Sequence, residues 1–222
     1  MKIRTLEELE DKFDKNLSWR KKEILSLKLL IESNESNRKL LLRSGIAILC
    51  AHFEGFIKES SNLYVIYIAN NNIKCQDVIY PLLAIKLKGK IKECGETEKY
   101  SVYASMLGKI ETIKENKFNL KLSENGSLVS TQANPTSNVL KEILKTLGLK
   151  SDIFDTKSKY IDYSLLKNRH KVVHGEKHEI DYNDFITVYE IVMKLMDEYR
   201  DLLIEAADKK LFLKQNCELE YA

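Results

Sequence analysis

Apolar residues recur along most of the chain at intervals of three and four, the period of an α-helix with one buried face. Over residues 5–32 the stripe runs Leu6, Leu9, Phe13, Leu17, Ile24, Leu27 and Ile31, with a slip between Leu17 and Ile24. Lysines and glutamates fill the opposite face. The run Ser33-Asn34-Glu35-Ser36-Asn37 then marks a break, because these side chains compete for backbone hydrogen bonds. A second helix is expected over residues 37–70. Leu41, Ile48, Leu49, Phe53, Phe56, Ile57, Tyr64 and Ile68 cover more than one of its faces, which predicts a central position. Ala47, Ala51 and Gly55 form a stripe of small residues that would let another helix approach closely; ordinary close packing in the core is the simpler account. His52, Glu54, Lys58 and Glu59 interrupt the apolar run and argue for a core helix, not a membrane span.

Residues 77–92 read as a third helix, started or interrupted near Pro81, and residues 98–114 as a fourth with Val102, Met106, Ile110 and Ile113 on one side. The period then changes. Phe118-Asn119-Leu120-Lys121-Leu122 alternates, Asn125-Gly126 is a hairpin turn signal, and Leu128-Val129-Ser130-Thr131 follows, so a small β-hairpin insertion is expected over residues 117–131. Pro135 opens a further helix over 136–147, closed by Gly148, and residues 151–160 read as a polar loop. Another helix, capped by Asp162 or Ser164, ends at His174, with Gly175 in the position where a left-handed residue stops a helix. Asp181 opens the last long helix, 182–208, and the tail from Lys209 is expected to fray. With no internal repeat and no long linker, the pattern predicts one all-α domain over residues 1–222, a helical bundle with one hairpin insertion.

Composition narrows the chemistry. The 222 residues include only 8 Gly and 2 Pro, which argues against the turn-rich all-β classes. A net charge of +3 announces no nucleic-acid binder by itself, so any basic site must come from local clustering. Lys86, Lys88, Lys90 and Lys92 make one such run, read as a solvated face or, more sharply, as an RNA-backbone contact. Cys50, Cys75, Cys94 and Cys217 contain no CxxC pair, so a structural zinc site is not expected; Cys50 reads as a buried free thiol, and the set suits a reducing cytoplasm. The N-terminal MKIRTLEELEDKF is acidic and amphipathic, unlike a signal peptide. A Gly-rich phosphate loop, a GxSxG elbow and a carboxylate cluster with metal spacing are all missing, so neither a cofactor nor a metal is expected.

The stretch Leu165-Leu166-Lys167-Asn168-Arg169-His170-Lys171-Val172-Val173-His174-Gly175 concentrates what chemistry there is. Arg169 is a permanent planar cation matched to phosphate oxygens, and His174 can give or take a proton near neutral pH. A five-residue step on a helix sets them roughly 140° apart, an awkward site within one chain. A helix cap for His174 and a surface ion pair for Arg169 are the plainer accounts of these residue types. His170 and His174 share the i, i+4 spacing of a metal pair, but a metalloprotease needs Glu after the first His and Lys171 stands there. Glu54, an acid in an apolar helix, either finds a partner in Arg169 or a motif histidine or faces solvent. Lys167, Lys171 and Lys177 can hold an RNA backbone. Tyr163 can stack on a base, a core role being the simpler one, while His52 and His178 read as structural or solvent-facing.

This stretch resembles the hallmark of the HEPN superfamily: an Arg, a polar residue, a short interval and a His, often followed by Gly. Two further blocks bring the resemblance to the RiboL-PSP-HEPN group. One runs from Ile46 to Phe56 through His52-Phe53-Glu54-Gly55, and the other from Asn134-Pro135-Thr136 to Leu147-Gly148. His170 departs from the Asn that commonly follows the family's Arg. The resemblance implies a helical bundle that dimerises so that two motifs face one cleft. It implies metal-independent RNA cleavage, often in toxin–antitoxin or phage-defence systems, with Arg169 and His174 as catalytic residues and His170 and Glu54 in support. An antitoxin or other regulatory protein is an expected partner. A non-catalytic dimer that binds RNA, a nucleotide or a protein is the alternative.

Overall fold

The computed structural model describes residues 2–120, 136–150, 152–155, 157–158, 160–217 and 219. Helix α1 (Leu6–Ser33) starts at a capping box, in which the Thr5 hydroxyl accepts from the Glu8 amide and the Glu8 carboxylate returns to the Thr5 amide. Asn34 stops it, and its side chain accepts from the Asn37 amide to turn the chain. Helix α2 (Arg38–Asn70) runs back antiparallel to α1 and is the centre of the molecule. The long helix α8 (Tyr182–Asp208) completes a three-helix core. Its start lies by Glu32, bonded by Tyr182, and its later turns by Asp14, bonded by Arg200, so it runs antiparallel to α1. Gly45 sits where the three helices meet: a Cβ there would fall 2.8 Å from Phe185 and 3.3 Å from Ile31.

The slip in the α1 stripe between Leu17 and Ile24 has a physical cause. Arg20 is buried there, 7% exposed, and packs with the apolar residues. Its Nε donates to Asn16 Oδ1 at 2.9 Å, its Nη1 to the His52 carbonyl at 3.3 Å and its Nη2 to Glu59 at 3.1 Å. The Trp19 ring lies against its guanidinium, 4.4 Å from the centroid. A buried cation is tolerated because its donors are met. Gly55 leaves the space, since a Cβ would stand 2.7 Å from Arg20 Nη1.

Helices α3 (Tyr80–Gly95) and α4 (Tyr100–Ile113) pack on one another beyond the end of α2. Helix α3 begins later than the 77–92 expected, since Pro81 fits only its first turn, while Val78 bridges to Leu213. Its lysines behave as a solvated face: Lys86 bonds Asn119, Lys90 pairs with Glu93 and Lys92 with Glu96. Most of the hairpin expected over residues 117–131 lies outside the described residues. Its first residues join the fold through a bridge from Lys117 to Lys74, with Phe118 fully buried. Among the described residues the regular structure is helical apart from two isolated bridges.

Helix α5 (Ser137–Leu147) is capped by Thr136 and closed by Gly148 at φ 83°, as its sequence predicts. Where a loop was expected over 151–160, Asp152–Asp155 makes a helical turn, α6, that buries Phe154 against Tyr199. The tail also departs from expectation. Phe212 is buried against Tyr64 and Tyr67, and its carbonyl accepts from the Ile79 amide, so residues 209–217 dock against the bundle and do not fray. Helix α2 is long and apolar enough to cross a membrane, but α1, α8 and the helix of the Arg–His stretch pack against it, as expected of a core helix.

Candidate functional site

The Arg–His stretch begins one turn earlier than its caps suggested. Tyr160–Lys167 is π-helical and leads without a break into α7 (Asn168–Val173). Asp162 does not cap this helix: it accepts from the amide and hydroxyl of Ser137 and so fastens the segment to the start of α5. Wide helical turns of this kind are uncommon and often accompany functional sites. Leu165 and Leu166 are buried, and the Leu165 carbonyl receives the Cys50 thiol at 3.5 Å. Arg169 lies one turn further on the same stripe and is half-buried towards α2.

Cys50 reports what surrounds it there. Burial pushes its thiol up to about 12, with the positive charge of Arg169 opposing the rise and the negative charge of Glu54 adding to it. Arg169 and Glu54 therefore act on the same sulfur from α7 and α2, and Glu54 is half-buried, not turned fully to solvent. His170 and His174 point the other way, both exposed, with ring centroids 4.2 Å apart. His174 caps the helix, its amide donating to the His170 carbonyl at 3.0 Å, and Gly175 takes φ 72° as the stop signal requires.

Against the third face of α7 lies His178, read from the sequence as structural or solvent-facing and found in a structural role. His178 Nε2 donates to Asn168 Oδ1 at 3.0 Å, which leaves Nδ1 to face Lys171 Nζ at 3.4 Å. The two bonds fold the loop after Gly175 back onto α7. They border a cleft of about 260 Å³ lined by Tyr163, Lys167, Asn168, Lys171 and Asp184. Tyr163 is 66% exposed, not in the core, because its ring lies beneath Lys167 Nζ at 4.4 Å. Lys177 borders a different groove, of about 530 Å³, with Arg38, Lys39 and Arg43 of α2. Arg43 Nη2 donates to the Glu176 carbonyl at 2.9 Å and pins the same loop from beneath. Residues 133 positions apart carry no local pattern that would reveal such a pair. His52, by contrast, is buried beside Trp19 and belongs to the α1–α2 contact.

The site is thus a helix end with two exposed imidazoles, an arginine half-buried near the Cys50–Glu54 stretch of α2, and lysines nearby. A family model described as RiboL-PSP-HEPN matches residues 15–205, from α1 to α8. The chain belongs to the RiboL-PSP-HEPN family. The HEPN match contains α7 and every site residue named above. No curated protein and no solved structure matches the chain. Among the described residues no group of three or more metal-binding side chains comes together.

Proposed function

We propose that this HEPN protein is a metal-independent endoribonuclease whose cleaving site is completed by a second copy of the chain. The observation that carries the reading is the placement of Arg169 and His174 on one helix end, His174 open to solvent and Arg169 half-buried, with Lys167 and Lys171 on the same helical segment and Lys177 in the loop that follows. RNA supplies its own nucleophile. The 2′-hydroxyl attacks the adjacent phosphorus while a base accepts its proton, and the bond to the 5′-oxygen breaks as an acid protonates the leaving group. The products carry a 2′,3′-cyclic phosphate and a 5′-hydroxyl. An imidazole can serve as either acid or base, and a guanidinium can clamp the charged phosphorane through two parallel hydrogen bonds.

In this assignment His174 is the proton carrier and Arg169 the phosphate clamp. His170 is the neighbouring imidazole and Glu54 orients Arg169 from α2. The three lysines hold flanking phosphates and carry no base preference. Arg169 and His174 diverge within one chain, so a site with both on one phosphate draws them from two chains. The small-residue stripe of α2 supports this. Gly55 makes room for Arg20, but Ala51 is exposed and Ala47 half-buried, so this part of the stripe is not consumed by packing within the protomer, and it flanks Cys50, which bonds the segment leading into α7. A toxin or phage-defence role, with an antitoxin or other protein to restrain it, agrees with the family.

The same divergence favours a second reading, a HEPN dimer that binds RNA, a nucleotide or a protein without cutting. RNA cleavage in EDTA separates the two. Wild type is expected to leave cyclic phosphate ends, and His174→Ala to lose at least about a hundredfold in rate while keeping its helical content. A wild type that binds RNA but leaves it intact would support the binding module.

A further inference from the structure

His170 has no necessary part in a cleavage that the imidazole of one chain and the guanidinium of the other can perform. It stands one helical turn before His174, both rings are exposed, and their centroids are 4.2 Å apart at a tilt of 49°. Metal–nitrogen bonds of about 2.0–2.1 Å bring two donors on one ion to roughly 3 Å of each other, a separation two rings so close can reach by small rotations. The end of α7 adds the partial negative charge of its last carbonyls beside His174. His178 is already engaged by Asn168 and Lys171 and does not join the pair.

We infer that His170 and His174 form a two-imidazole chelate for a zinc-class divalent ion, and that its occupancy shuts off the site. Imidazole donors without carboxylates select zinc, nickel or copper over magnesium and calcium. Arg169 and Lys171, on the same helix, repel a dication and keep the affinity moderate, as a reversible inhibitor requires. Binding uses the lone pair of each ring nitrogen that holds the metal and displaces any proton there. That nitrogen can then neither accept nor deliver a proton. Inhibition rests on the nuclease reading; binding does not.

The test is calorimetric titration of EDTA-stripped, desalted protein with zinc sulfate, for wild type, His170→Asn and His174→Asn, with magnesium chloride as control. Both positions are exposed, and circular dichroism checks that the variants keep their helices. Wild type is expected to bind zinc and not magnesium, with affinity falling at least about tenfold in each variant, because one ring is a poor ligand alone. Equal zinc affinity in all three proteins, or none in wild type, overturns the chelate. A second arm compares wild-type RNA cleavage in zinc and in EDTA. A zinc-induced loss reversed by EDTA supports the switch, and a rate indifferent to bound zinc overturns it. Histidine-dependent zinc binding by a protein that cuts no RNA in EDTA sustains the chelate and refutes the nuclease.

Discussion

At the level of single residues, the buried polar groups hold the fold, while the residues of the candidate site are half-buried or exposed. His52 holds the fold. Burial lowers its pKa below the ordinary value of 6.5, Glu23 at 3.5 Å draws it back up, and Arg20 presses it down further. The lowered value favours the neutral ring as the native form, so the approach of Glu23 is not a full ion pair. Its contribution to stability is fully present above the ordinary value and is lost as the pH falls through the lowered native one. Urea unfolding at a series of pH values is expected to show wild type losing more stability than His52→Gln below about pH 6.5. Parallel curves would show that burial of His52 is not linked to protonation. The sequence offered His52 and His178 as a matched pair of bland histidines. What separates them is tertiary: one faces Trp19 and Glu23, the other Asn168 and Lys171.

Among the elements, the long amphipathic helices were legible because a repeating period carries them. Phe185, Val188, Val192, Leu195, Met196 and Tyr199 are buried along α8 at helical spacing, and the stops at Asn34, Gly148 and Gly175 fall where they were read. The π-helical turns of Tyr160–Lys167 were not legible, since no residue type announces a wider helix and the same leucines satisfy either period. Nor was the docking of Phe212, in a short apolar run of the tail whose pocket is assembled from the distant Tyr64 and Tyr67. Gly45 marks a close helix contact. Replacing it with Ala gains about 1 kcal/mol in helix propensity. Forcing a methyl to within 2.8 Å of the buried Phe185 ring costs about 1–3 kcal/mol through overpacking. Gly45→Ala is expected to be destabilising on balance in thermal or denaturant unfolding. An unchanged or raised midpoint would mean that α8 can shift away from α2.

For the whole molecule, the question is how an arginine and a histidine that point apart come to share a phosphate. The outward stripe of α2 beside α7 is the surface proposed to bring in the second copy. Ala51→Glu, which places a charge on that stripe without touching the core, is expected to turn a dimer into a monomer by light scattering, with helical content preserved. A dimer that survives Ala51→Glu would move the interface elsewhere. The family and the candidate cleaving pair were both open to sequence reading because the Arg169-to-His174 interval and the closing Gly175 are local. The partition of their side chains between α2 and solvent was not, since it depends on how α7 settles over Cys50.

The most direct test of the composite site is complementation. Arg169→Ala and His174→Ala chains, inactive alone, are refolded together and assayed for RNA cleavage in EDTA. A site built from one arginine and one histidine of different chains regains one intact copy in each mixed dimer. Random pairing then restores about a quarter of the wild-type rate, since half the dimers are mixed and half their sites whole. No recovery in a mixture shown to contain mixed dimers, or full activity in His174→Ala alone, would contradict the account.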